Sequence, residues 1–164
     1  MSLVDRLNKL LWKPLLHASV WATRTPLRHR LLGRGLERGL GGLTTTLKAA
    51  QPQPDVAAVA REWQRMMPSR GMVPIIEESA DTVVAEIHAH CPYRGSGNVH
   101  GCQRMMEYDR KMLETIGGEL VVLRSQAEPG VSVCRVALRR KGADLSDLVP
   151  AHVRAGDDPA APSS

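Results

Sequence analysis

Three cysteines, Cys91, Cys102 and Cys134, are the residues of this chain best suited to chemistry. A thiolate is both a nucleophile and a soft metal ligand, so three brought together admit two kinds of site. In the first, Cys102 attacks a carbon–nitrogen centre while Asp109 orients a base or a substrate nitrogen. His100, two residues before Cys102 in a glycine-rich loop, is the candidate base. In the second, the three thiolates hold zinc or an iron–sulfur cluster, with His100, His90 or a carboxylate as fourth ligand. The spacing between positions 91, 102 and 134 is wider than the tight local pairs of most zinc sites. A free cysteine also serves as a small buried hydrophobe, and that reading stays open.

Whether the three face one space depends on the elements that carry them. In the segment ending at Cys91, side chains alternate between two faces. Val83, Ala85, Ile87, Ala89 and Cys91 share one face, and Val84, Glu86, His88 and His90 share the other. In the last strand Ser132, Cys134, Val136 and Leu138 share a face. On a helix of about 100° per residue, Cys102, Met105, Met106, Asp109, Met112, Leu113 and Ile116 fall together. Gln103, Glu107, Arg110, Lys111 and Glu114 fall opposite, with Glu107 placed to pair with Lys111. The cysteines and Asp109 are thus expected to face one helix–sheet layer. An acid in an apolar stripe needs a partner or becomes neutral.

The remaining elements follow from punctuation and period. Thr25-Pro26 reads as an N-cap followed by proline at the first helical position. Leu27, Leu31, Leu36, Leu40 and Leu43 then recur at helical spacing, among glycines that permit another backbone to approach. Asp55 caps a helix with the stripe Val56, Val59, Trp63 and Met66, ending at Pro68. Val73 to Glu78 and Thr82 to Cys91 form one hairpin, and Glu119 to Ser125 and Val131 to Arg139 another. Gly101 to Ile116 is helical, stopped by Gly117-Gly118. The predicted class is α+β, an antiparallel sheet from two hairpins covered by helices, with a helical N-terminal arm.

Charge divides the chain. The net charge is +5, yet residues 1–50 carry nine Lys and Arg against two acids, and the rest carries 13 against 15. Residues 1–50 read as a basic helical arm beginning with an amphipathic helix interrupted at Pro14, 51–154 as the cysteine-containing domain, and 155–164 as a disordered tail. The arm suits an anionic membrane surface, a protein partner or a second copy of the chain. Nucleic acid is disfavoured: the sequence has no Phe, three Trp and two Tyr, too few for a base-stacking platform. With no apolar run near 20 residues, no visible signal peptide and three cysteines, the expectation is a cytoplasmic or membrane-peripheral protein without a disulfide framework.

Glu86-Ile-His-Ala-His-Cys91-Pro92, Cys102 opening a helix, Gly118-Glu-Leu-Val-Val-Leu-Arg-Ser, and Gly130 four residues before Cys134 form a set of motifs across residues 82–140. The set resembles the L-2-amino-thiazoline-4-carboxylic acid hydrolase-like family and the related 4-vinyl-reductase-type ligand-binding domains. Relative to that pattern, Val131 stands where an acid follows the hairpin glycine, and Met105 stands where the helix carries its acid. The resemblance implies a small α+β domain with a buried pocket for a small molecule or metal, at Cys91, Cys102 and Cys134. The leading expectation is a ligand- or metal-binding domain of accessory or sensory role. The alternatives are a cysteine-dependent hydrolase of a cyclic amidine and a non-catalytic subunit that docks through its arm.

Overall fold

The computed structural model describes residue 14 and residues 17–156. The amphipathic helix expected before Pro14, and the tail beyond 156, lie outside them. Residues 17–23 are helical (α1), and after a bend Thr25 caps Pro26–Arg28 (α2), its side chain accepting from the Arg28 amide. The helix continues through a π-helical turn, His29–Gly33, into α3, Arg34–Leu47. Next come α4, Val56–Met66, a 3₁₀ turn Arg70–Met72, and strands β1, Ile75–Glu78, and β2, Val83–Ile87. Two short helices follow, α5, Val99–Met105, and α6, Glu107–Ile116. Strands β3, Gly118–Arg124, and β4, Cys134–Arg140, and a terminal turn of helix α7, Ala151–Arg154, complete the chain.

The fold is α+β. All three pairings are antiparallel and the strand order is β1-β2-β4-β3. The hairpins join through β2 and β4, with Val83 opposite Leu138 and Ile87 opposite Cys134. Helices α4 and α6 cover one face. Val59, Trp63, Met112, Leu113 and Ile116 meet Val83, Ala85, Val122, Val136 and Leu138 in the core. Burial of each large apolar side chain supplies about 1.5–3 kcal/mol. Asp55 caps α4 by accepting from the Ala58 amide at 2.7 Å. Gly117 ends α6 at φ +87°, a conformation that favours glycine, and lets β3 begin at the next residue.

Several boundaries differ from the sequence reading. The helix expected over 101–116 breaks at Met106, whose ψ of 1° leaves the helical range. Strand β2 stops at Ile87, so Cys91 sits in the following loop rather than on the strand, and β4 begins at Cys134 itself. Glu107 pairs with Arg110 and with Arg38 of α3 rather than with Lys111. Ala155 and Gly156, assigned to the tail, have defined places, and Gly156 offers its carbonyl to His100.

The largest difference concerns α3. Its buried residues are Glu37, Gly41 and Thr45, preceded one turn earlier by Gly33. The leucines point away: Leu27, Leu31, Leu36, Leu43 and Leu47 are exposed. A Cβ at Gly41 would lie 2.6 Å from the Tyr108 carbonyl oxygen, so the backbones of α3 and α6 nearly touch. Arg38 ties the pair, reaching Glu114 at 2.5 Å and Glu107 at 3.4 Å. Helix α1 is fastened too: Arg104 donates to the Thr23 carbonyl at 2.7 Å, and Tyr93 Oη to the Val20 carbonyl at 3.1 Å.

Candidate functional site

At one end of the sheet the chain brings the three cysteines together. Cys134 opens β4, Cys91 lies in the loop after β2, and Cys102 faces them from α5. All three are buried and free. The Cys102 thiol lies close enough to those of Cys91 and Cys134 for each to shift its titration. Helix α5 holds its thiol in place because Asn98 caps it, accepting from the Gly101 amide at 2.7 Å.

Gln126, two residues beyond β3, organises the cluster. It is fully buried. Its backbone amide donates to Cys134 Sγ at 3.2 Å. Its side-chain oxygen accepts from the Cys91 amide at 3.3 Å and from Arg94 Nη2 at 2.7 Å. Its side-chain nitrogen donates to the carbonyls of Ile87 and Ala89, at 3.1 and 2.9 Å. One side chain therefore fixes the loop that carries Cys91, with every polar atom satisfied.

The cluster has a polarity. The hydrogen bond from Cys102, with a backbone bond at Tyr93 and the Arg94 charge, overcomes burial and lowers Cys91 to about 7. Cys134 is also lowered, by Cys102 and the Gln126 amide. Cys102 is raised far above the usual thiol range by its two neighbouring thiols and by burial. The three titrate as a group, with Cys102 losing its proton last. Cys91 and Cys134 are the two lowered thiols, and Cys102 is the donor beside both. Replacing Cys102 by Ala removes that donor, and Cys91 should return to the ordinary range near 8.5 or above. Alkylation of Cys91 by iodoacetamide at pH 7 is then expected to slow about tenfold or more. Cys102→Ser, which keeps a hydroxyl donor, should retain most of the rate; peptide mapping by mass spectrometry distinguishes the sites.

The thiols open onto a cavity of about 280 Å³, close to the lower end of small-molecule sites. Its walls are largely apolar and include Trp63, Met67, Met72, Met105, Met106 and the α3 leucines Leu40, Leu43 and Leu47. Asp109 lines it as well. The Asp109 carboxylate accepts from Trp63 Nε1 at 3.0 Å, and burial raises it to about 6. Tyr108 gives or takes a hydrogen bond with Thr44 Oγ1 at 3.0 Å, and burial pushes its hydroxyl up to about 12.

A second acid on the wall, Glu37, comes from α3 and is only 2% exposed. Burial raises it to about 7, against the lowering effect of the Ser19 hydroxyl. An acid whose folded pKa exceeds its unfolded value stabilises the fold while protonated. That stability is present below about pH 4.5 and is lost as pH rises to about 7. The loss is of order 1–3 kcal/mol. Urea unfolding between pH 5 and 8 should show this decline, and Glu37→Gln should flatten it and make the protein more stable at pH 8.

The histidines stand elsewhere. His100 Nε2 is 2.8 Å from the Gly156 carbonyl oxygen and its ring meets His152 edge-on, outside the cavity wall. His88 is bonded to Glu86, and His90 is exposed on the rim. Thus Cys91, Cys102, Cys134 and Asp109 share the cavity, and His100 does not. Among the described residues, no group of three or more His, Cys, Asp and Glu side chains is arranged to hold a metal ion. Gln126 and Glu37 were not candidates from the sequence. The signal available for Gln126 was a polar pair, Ser125-Gln126, ending an apolar strand; for Glu37 it was a lone acid in a basic stretch.

No family model matches the chain, and no curated protein or solved structure matches it.

Proposed function

We propose that this protein is a small-ligand-binding domain whose apolar cavity presents a reactive thiol cluster to its occupant, in an accessory or sensory role. The observation that carries the reading is the convergence of Cys91, Cys102 and Cys134 on one apolar cavity. Buried cysteines that only fill volume need no shared cavity and no thiol held near 7. The motifs across residues 82–140 resemble 4-vinyl-reductase-type ligand domains, which agrees with it. A zinc or iron–sulfur centre on the same thiols would require the loss of the Cys102 proton. Anaerobic purification followed by metal analysis, a visible spectrum and thermal-shift screening of small apolar compounds tests both forms. Metal-free, colourless protein stabilised by apolar compounds supports the ligand form; a coloured or zinc-loaded protein supports the metal form. Protein that gains stability from no compound and carries no metal overturns the reading.

A second reading, peripheral attachment to an anionic lipid surface, is favoured by the α1–α2 region. Trp21, Leu27, Leu31 and Leu32 are 55%, 66%, 71% and 56% exposed. Arg24, Arg28, Arg30 and Arg34 are exposed among them, with Arg28 stacked 5.0 Å from the Trp21 ring centroid. Apolar side chains rimmed by arginine suit an acyl–headgroup boundary. Among the described residues, no helix is long and apolar enough to cross a membrane. Sedimentation with phosphatidylglycerol vesicles, but not phosphatidylcholine vesicles, is the expected result; Leu31→Ser with Leu32→Ser should abolish it. Equal sedimentation with both lipids, or with neither, overturns attachment to anionic lipid.

A further inference from the structure

Of the two cavity acids, Glu37 has no counterion among the described residues. Glu37 is 2% exposed, lines the cavity, and its Oε1 has no hydrogen-bond partner. Its neighbouring charges, Asp109 and Glu107, are of its own sign. Asp109 accepts from Trp63 on one oxygen, with the Arg110 charge nearby. Lys48 and His90 also line the cavity, but neither is among the charges that act on Glu37 or Asp109. A buried carboxyl with an unused oxygen costs stability unless something fills the gap. The rest of the wall selects an apolar body, and the Trp63 ring adds a surface that attracts cations.

Resting on the reading of this cavity as a ligand site, we propose that its occupant is a small apolar molecule bearing one ammonium group, held by Glu37 with Asp109 as the second acid. The ammonium donates to the free Glu37 oxygen, and the hydrocarbon part displaces the cavity's contents against Met67, Met72 and Met105. Bound in this way the ligand restores the ionised form of Glu37 that burial alone disfavours. The Cys91 thiol then lies in the same cavity as the ligand.

The test uses the full chain and matched pairs: hexylamine against 1-hexanol, and phenethylamine against 2-phenylethanol, titrated by calorimetry at pH 7.5. Each amine is expected to bind about tenfold or more tightly than its alcohol, the scale of a hydrogen bond to a charged group. Glu37→Gln should reduce the preference to near unity while the alcohols bind as before, and Asp109→Asn should reduce it in part. If amines and alcohols bind alike, the ammonium preference is overturned and the cavity remains a ligand site. If neither series binds, the ligand-site reading falls and the proposal with it. The ratio in the unaltered protein decides the matter even where a variant fails to fold.

Discussion

Gly41→Ala is expected to destabilise the protein by about 1–3 kcal/mol, while Gly39→Ala, half a turn away on the same helix, stabilises it by up to about 1 kcal/mol. Both replace glycine by a better helix former, so propensity favours both. At Gly39 the new methyl meets nothing within 4 Å. At Gly41 it lies 2.6 Å from the Tyr108 carbonyl oxygen and 3.1 Å from the Lys111 Cβ. A backbone oxygen cannot swing aside, so α3 must lift from α6. The displacement carries Glu37 and Thr44 with it and breaks the Thr44–Tyr108 hydrogen bond. Urea denaturation of the two variants beside the parent checks the opposite signs. A Gly41→Ala variant as stable as Gly39→Ala would show that the helices are not held at this separation.

Gln126→Leu is expected to cost about 3 kcal/mol or more, although it exchanges one fully buried side chain for another of similar size. It leaves the Cys91 amide, the carbonyls of Ile87 and Ala89, and the Arg94 guanidinium without the partner each has now. The consequence reaches the thiols, because the loop after β2 loses its anchor and Cys91 moves relative to Cys102. The alkylation rate of Cys91 at pH 7 should therefore fall together with the unfolding midpoint. Gln126→Glu separates the two functions of the amide: it keeps the acceptor for Arg94 and the Cys91 amide but has no N–H for the two carbonyls. Its cost should fall between that of the parent and that of Gln126→Leu, and a variant with unaltered stability would contradict the role given to this side chain.

What the sequence revealed was what repeats with a local period. The alternation through Val83 and Ala85 is the burial seen in β2, and Asp109 lies on the cavity face of its helix as its register implied. Thr25-Pro26 and Gly117 mark real helix ends, since capping chemistry is local. The inward facing of Cys102 and Cys134 followed from the same reasoning. Their meeting with Cys91 did not, because it depends on how β2 and β4 pair and on a loop whose path Gln126 sets. The α3 helix shows the opposite case. A leucine stripe on a surface helix normally marks the buried side, but here close backbone approach, to α1 at Gly33 and to α6 at Gly41, selects the opposite face. That choice also sent Glu37 inward, which no hydrophobic pattern discloses.

The π-helical turn His29–Gly33 has a phase consequence. Such a turn behaves as one residue inserted into an α-helix, and each residue advances the helix by about 100°. Residues before the turn are thereby rotated relative to α3 by that amount. Gly33, which closes the turn, faces the Ala22 carbonyl, where a Cβ would sit at 2.7 Å, and Gly41, two turns on along the same face, meets Tyr108. Removing a single residue from 29–33 would realign the backbone hydrogen bonds and put the two ends of the helical run 26–47 out of step. Helix α1 would lose its hold on Tyr93 and Arg104, and the extra residue thus serves as a gear tooth that keeps the cysteine end and the α6 end engaged together.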